Sequence, residues 1–432
     1  MTQAIGPAIE VGASRRRLGL FDVLCMGVNS IVGSGVFAIP DDIHREMGGW
    51  SPLAFALCAT MLLPVTLCFA ELSGRFEKTG GPYLYAQSAF GPRTGFMIGW
   101  FCWVVAFVSW AANTTVLVEL LGFQGVAHKA VCVGLVVALG AINYVGVKPG
   151  AWTVNAVVVA KVTAIFCFLG VAIFALDPSR LGGALPRGVM GVGQGVFLAL
   201  FPLQGFEVVS VLAGETANPR RNVPLGTVGS LLFSALLFIA VQAVLVASYP
   251  GLGAGSGTPL SDAAHHLGPR IGLVVLVGSL ISVGGFTAGT ALGAPRYAQA
   301  IAEHGLLPAA LARIHPRWET PHVAIVLTTV FSAALALFFD FRLLVGVLNV
   351  AVMIQYASTC LAVPALRRKM PGGERTWVVP GGRVIPYLGA AGSLVMLVGV
   401  GVSAFVYAGV MLVMGFAISW LSAPRTRRAP ST

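Results

Sequence analysis

An all-α polytopic membrane protein of about twelve transmembrane helices is the fold class this sequence predicts. Composition, the succession of apolar runs and the placement of basic residues each point to it. Of the 432 residues, 56% are hydrophobic and only 10% charged, where a soluble domain carries about 25% charged residues. A helix needs roughly 20 apolar residues to cross a bilayer, so the chain has room for about twelve crossings. Candidate spans cover 21–44, 51–74, 95–121, 128–147, 151–176, 192–213, 225–249, 270–303, 322–340, 343–364, 385–403 and 404–421. With the first loop inside and the spans alternating, the outside loops hold only Arg45, Lys129, Arg180, Arg187, Arg270 and Arg342 of the 27 Lys and Arg residues. Lys161 lies within a span and the others gather inside, which orients both termini to the cytoplasm. The net charge of +11 is thereby explained by topology and not by nucleic-acid binding. The Arg15-Arg16-Arg17 triplet precedes a long apolar run that lacks a small-x-small cleavage site, so that run reads as a retained first span.

The first span is interrupted at mid-depth by Gly33-Ser34-Gly35. Glycines weaken a helix, and lipid offers no water to repair the lost hydrogen bonds. Such a break is tolerated where the freed backbone lines a cavity, and the N–H groups of the resuming half-helix suit a carboxylate. Helix packing is the competing explanation, since small residues are common in membrane helices. In the fifth span Lys161 lies about ten residues in, roughly 15 Å along the axis. A lysine at that depth costs at least ~2.5–3.5 kcal/mol on insertion scales, which marks it as a functional ionisable group. The sequence predicts that it gains and loses a proton while bracing the broken first span. The alternative is a structural lysine pinned by carbonyls of a neighbouring helix.

The sixth span carries Phe201-Pro202-Leu203-Gln204-Gly205, a second interruption five spans after the first. Paired interruptions at corresponding positions of two halves point to a binding site at their interface. Amide donors in span one suit an anion, and unwound carbonyls near Phe201 and Gln204 suit an ammonium. A small ligand bearing both charges is an α-amino acid, although a polyamine or a lone carboxylate would use half of the arrangement. Glu207 has three readings: an acid close to a substrate, a proton relay, or an acceptor for freed backbone amides. Phe201 and Phe286 are candidate aromatic gates. Glu71 and Glu215, near Arg75, Lys78, Arg220 and Arg221, read more readily as solvated loop charges than as switching salt bridges. The seven cysteines fall in apolar runs with no CxxC pair, and neither HExxH nor a Walker loop occurs. The sequence therefore predicts no cofactor, no metal site and no ATP drive.

The motifs together resemble those of the amino acid–polyamine–organocation (APC) transporters along nearly the whole chain. They are Val32-Gly33-Ser34-Gly35-Val36-Phe37; Glu71 to Phe76 followed by Thr79 to Tyr85; Asn143-Tyr144-Val145-Gly146-Val147; Gly205-Phe206-Glu207 with Glu215 and Asn218 to Pro224; and Pro295-Arg296-Tyr297 with Gly305-Leu306-Leu307-Pro308. The resemblance implies a LeuT-type fold, a 5+5 inverted repeat with discontinuous helices 1 and 6 plus two extra helices. It divides the chain into a cytoplasmic tail (1–20), a first repeat (21–176), a second (192–364), two added helices (385–421) and a second tail (422–432). It implies that a substrate carboxylate meets the Ser34 and Gly35 backbone beside Gly33. The substrate amino group would meet carbonyls at Ile31, Phe201 and Gln204, next to Gly205. Phe201 becomes a gate, Phe286 a pocket wall, and Lys161 the counterpart of a fifth-span lysine in proton-coupled members. Pro202 departs from the small or aromatic residue common there. The expected activity is secondary active transport of an amino acid with a proton across the cell inner membrane, not enzymatic. The runners-up are an exchanger or exporter and, from another class, a transporter-like sensor. A mostly small or apolar pocket wall from spans three, eight and ten points to neutral amino acids; Glu207 is the one argument for a cationic substrate.

Overall fold

The computed structural model describes residues 18–76, 81–146, 151–211, 216–255, 257–303, 305–370 and 377–422. Expectations resting on the two tails up to Arg17 and beyond Ser422, and on Lys78, Thr79, Gly80, Lys148 and Glu215, lie outside these residues. The described chain forms α-helices and short 3-10 turns with no strand. The broken first span consists of α1 (Leu20–Ile31), α2 (Gly35–Ala38) and α3 (Pro40–Met47). Next come α4 (Pro52–Ser73), α5 (Gly81–Phe90), α6 (Pro92–Leu120), α7 (Gly125–Val145) and α8 (Ala151–Ala172). The second half holds α9 (Gly188–Leu203), α10 (Glu207–Val211), α11 (Pro219–Ser248), α12 (Pro259–Leu267), α13 (Pro269–Glu303), α14 (His322–Phe338) and α15 (Phe341–Lys369). The chain closes with α16 (Val384–Val395) and α17 (Val402–Ser422).

Helix starts follow local chemistry. Proline occupies the first turn of α3, α4, α6, α11 and α12, where its missing N–H costs nothing. Gly146 closes α7 at φ +90°, the left-handed cap that glycine adopts without strain. Among the described residues, seven helices are long and apolar enough to cross a membrane, and five shorter apolar helices accompany them. Helix α6 lies at the centre, with 83% of its most apolar stretch buried, whereas α7 at the rim has 17%. The rim exposes large apolar side chains such as Leu236, Val330, Phe338 and Phe416, a surface suited to lipid and not to water. The molecule is a multi-pass helical membrane protein.

Three features depart from the sequence reading. Helices α5 and α12 are short additions within what was expected to be loop. The sixth-span break begins later than Pro202, which stays inside α9. A proline ring fits helical φ and disturbs only the turn before it, so α9 ends where Gly205 takes φ +114°. Glu71 is not solvated: it is 1% exposed and accepts hydrogen bonds from Arg75, Arg367 and the Val379 amide. This cluster ties the end of α4 to the end of α15 and to the segment before α16. Burial makes partners obligatory for such a carboxylate.

Candidate functional site

The two interruptions meet. In span one Val32 leaves helical geometry (φ −80°, ψ 76°), and the Gly33 amide turns back onto the Ile31 carbonyl at 2.9 Å. Phe37 and Ala38 donate to the Ser34 carbonyl, so the helix restarts at once. Ile39 keeps helical angles between α2 and α3, making Gly35–Met47 almost one continuous half-helix. Its leading amides have no partner within the helix. In span six the Gly205 amide, which a continuous helix would direct to Phe201 O, donates instead to Glu207 Oε2 at 2.9 Å. Phe201 O accepts from Gln204 Nε2 at 3.1 Å.

Only glycine allows this approach. A Cβ on Gly35 would lie 2.5 Å from Pro202 Cβ, and one on Gly205 would lie 2.4 Å from Ser30 O. Pro202 thus packs its ring on the span-one restart, while Gly205 lets the span-six backbone touch the end of α1. Gly33 faces the Phe286 ring, 3.3 Å from where its Cβ would be.

A cavity of about 410 Å³ opens at this junction, a size suited to a small molecule. Ile31, Gly33, Ser34, Gly35, Phe201, Gln204, Gly205 and Phe286 all border it, as does Glu207. Its other walls come from α6 and α13, with smaller parts from α5 and α15. Ser34 Oγ and Gln204 Oε1 are buried without a hydrogen-bond partner. Buried polar atoms are normally paired, so both await a ligand or water.

Lys161 is fully buried behind the cavity wall. Its Nζ donates to Asn29 O at 3.1 Å, Asn29 Oδ1 at 3.0 Å and Val32 O at 2.5 Å. An ammonium has three N–H donors, and here three acceptors surround it, two of them carbonyls at the unwinding end of α1. Ser282 Oγ also reaches Val32 O, at 3.3 Å. Helix α8 thus holds the first interruption from behind. Glu207 is held by Gly205 N–H and by Tyr356 O–H at 2.9 Å, so its carboxylate accepts an amide freed by the second interruption.

Sequence reasoning missed Asn29, Ser109, Asn113 and Tyr356. Asn29 carried a readable signal, a polar residue one turn before Gly33 in an apolar span. Tyr356 carried none, because an aromatic in an apolar run gives no hint that its hydroxyl meets a carboxylate across the fold.

The fold is that of a multi-pass helical membrane protein with a cavity where two helix interruptions meet; the family and relatives it matches are transporters, not enzymes. A family model described as Amino acid permease matches residues 18–426, and the chain belongs to that family. It is similar to the branched-chain amino acid permease BcaP of Bacillus subtilis, 26% identical with 94% of this chain and 93% of that one covered. An uncharacterized transporter of Mycobacterium tuberculosis is 30% identical over 97% of this chain and 94% of its own. Human cationic amino acid transporter 4 is 26% identical over 82% of this chain and 60% of its own length.

Proposed function

We propose that this permease carries α-amino acids across the cytoplasmic membrane by alternating access, taking up a proton with each substrate, with both termini in the cytoplasm. The observation that carries the reading is the convergence of eight residues from two helix interruptions and α13 on one cavity holding unpartnered buried oxygens. The amides at Ser34 and Gly35 receive the substrate carboxylate, favoured by the half-helix dipole. The carbonyls at Ile31, Phe201 and Gln204 receive the α-ammonium. Ile31 O and Phe201 O each already accept one bond, and a carbonyl oxygen has two lone pairs. The activities for which the relatives are named support the substrate class.

Twelve crossings in two inverted five-helix repeats, 21–176 and 192–364, are part of this proposal, with 385–421 as two added helices. The packing supports it. Helix α4 packs on α11, α6 on α13 and α7 on α14, each helix on its counterpart five spans later. The short α5 and α12 also occupy equivalent places, between spans two and three and between spans seven and eight.

Lys161 is the proposed proton carrier. In its charged form all three N–H groups are satisfied; with one proton lost, a lone pair faces a carbonyl or carboxamide oxygen and the hold on α1 loosens. Switching then follows from the difference in substrate affinity between open states. Labelled amino acids in proteoliposomes, with and without an inward proton gradient, test the reading. Counterflow together with gradient-stimulated uptake supports it. Counterflow without stimulation favours an exchanger, and absence of counterflow favours a sensor.

A further inference from the structure

The central helix α6 presents a second polar pair to the cavity, one turn apart, that the roles above leave unused. Asn113 is 1% exposed. Its Nδ2 donates to Ser109 O at 2.6 Å and to Ser109 Oγ at 3.1 Å. Because Ser109 O can only accept, the amide orientation is fixed and Oδ1 points away from it. Asn113 Oδ1 is buried with no partner. Ser109 Oγ accepts from Asn113 but donates nowhere among the described residues. The pair therefore offers one free acceptor and one free donor on residues that both border the cavity.

The pair also lies at the level of the substrate site. A Cβ on Gly99 would lie 3.1 Å from Ile301, and one on Gly284 would lie 3.9 Å from Leu117. Helices α6 and α13 thus run in opposite directions, and Asn113 comes level with Phe286 to Thr290. Phe286 packs on Gly33, at the first interruption. Across the cavity, Gly289 and Gly293 leave open space where a side chain would stand. Thr290 Oγ1 is already committed to Phe286 O. A ligand anchored at Ser34 and Gly35 therefore has room between α13 and the Ser109–Asn113 pair.

We infer that Ser109 and Asn113 select the substrate side chain, and that the preferred class is a neutral polar amino acid bearing a hydroxyl or a carboxamide. Either group supplies a donor for Asn113 Oδ1 and an acceptor for the Ser109 hydroxyl. An aliphatic side chain leaves both without a partner on the ligand, which carries a penalty. A cationic side chain satisfies Oδ1 but has no acceptor for Ser109.

The inference rests on the amino acid reading proposed above, and one experiment separates their failures. Binding of serine, threonine, asparagine and glutamine is compared with that of alanine, valine and leucine by thermal shift on the purified wild-type chain, Asn113→Leu and Ser109→Ala. The expected result is a preference of about tenfold or more for the polar set in wild type. Asn113→Leu, close in volume, abolishes the preference while aliphatic binding stays or improves, and Ser109→Ala reduces it about threefold or more. Aliphatic binding equal to polar binding in wild type, or a preference unchanged in both variants, overturns the inference and leaves the amino acid reading standing. Binding of neither set overturns the inference, and binding of none of the twenty amino acids overturns both.

Discussion

Replacing Gly205 with Ala perturbs the meeting of the two interruptions at its tightest point. The residue sits at φ +114°, where an L side chain costs ~1–3 kcal/mol. The added Cβ would lie 2.4 Å from Ser30 O and 2.7 Å from Ser30 C. Both are backbone atoms, so no side chain can rotate away, and ordinary contact begins at 3.4 Å. Span six must therefore retreat from α1 by about 1 Å, carrying Gln204 and Phe201 with it. The substrate is held from both sides of that junction, so the strain and the misfit weaken its binding together. At 1.4 kcal/mol per tenfold, affinity is expected to fall about 10-fold to 100-fold. Gly134→Ala on α7 is the matched control, since a Cβ there meets nothing within 4 Å; it leaves affinity unchanged. Substrate affinity is read by thermal shift, and half-saturation by counterflow in proteoliposomes. Gly205→Ala within twofold of wild type in both would refute the reasoning, because the observed contact would then not govern the site.

Further outcomes follow from the same geometry. Lys161→Met is expected to keep counterflow but to lose uptake driven by an inward proton gradient; stimulation equal to wild type would remove the proton role from this lysine. Glu207→Gln still offers an oxygen to Gly205 N–H and Tyr356 O–H, so binding should stay within about threefold. Glu207→Ala leaves a freed amide unmet, ~1–3 kcal/mol, and should weaken binding tenfold or more. Arg367→Ala strips two hydrogen bonds from the buried Glu71 carboxylate but leaves Arg75 and the Val379 amide in place, so the cost is about 1.5–3 kcal/mol, visible as a lower melting temperature. Phe201→Ala removes the proposed gate and should raise the half-saturation concentration; because its ring is buried against Phe341, the melting temperature should fall as well.

Much of the architecture was legible because lipid imposes a simple rule: apolar runs of span length must be helices, and any break must be accommodated. Gly33-Ser34-Gly35 is such a break, and it lies where the structure interrupts span one. The second break lies within the Phe201–Gly205 stretch that the sequence marks, but at its far end: the Pro202 ring remains helical and Gly205 makes the turn. All eight residues assigned to substrate border the cavity, since a freed backbone must face something polar. Glu71 was misread for want of distance information: its partners Arg367 and Val379 lie about three hundred residues away in sequence. The Ser109–Asn113 pair was invisible for a related reason. Ser and Asn in a membrane helix often bond back within their own turn, and only the cavity wall distinguishes a free oxygen from a satisfied one.

The central claim is that the two interruptions jointly hold one zwitterion. A structure determined with a bound amino acid tests it most directly. The account predicts ligand density between Ser34-Gly35 and Phe201–Gly205, its carboxylate on the span-one amides and its ammonium on the span-six carbonyls. Density elsewhere, with this cavity empty, would contradict it.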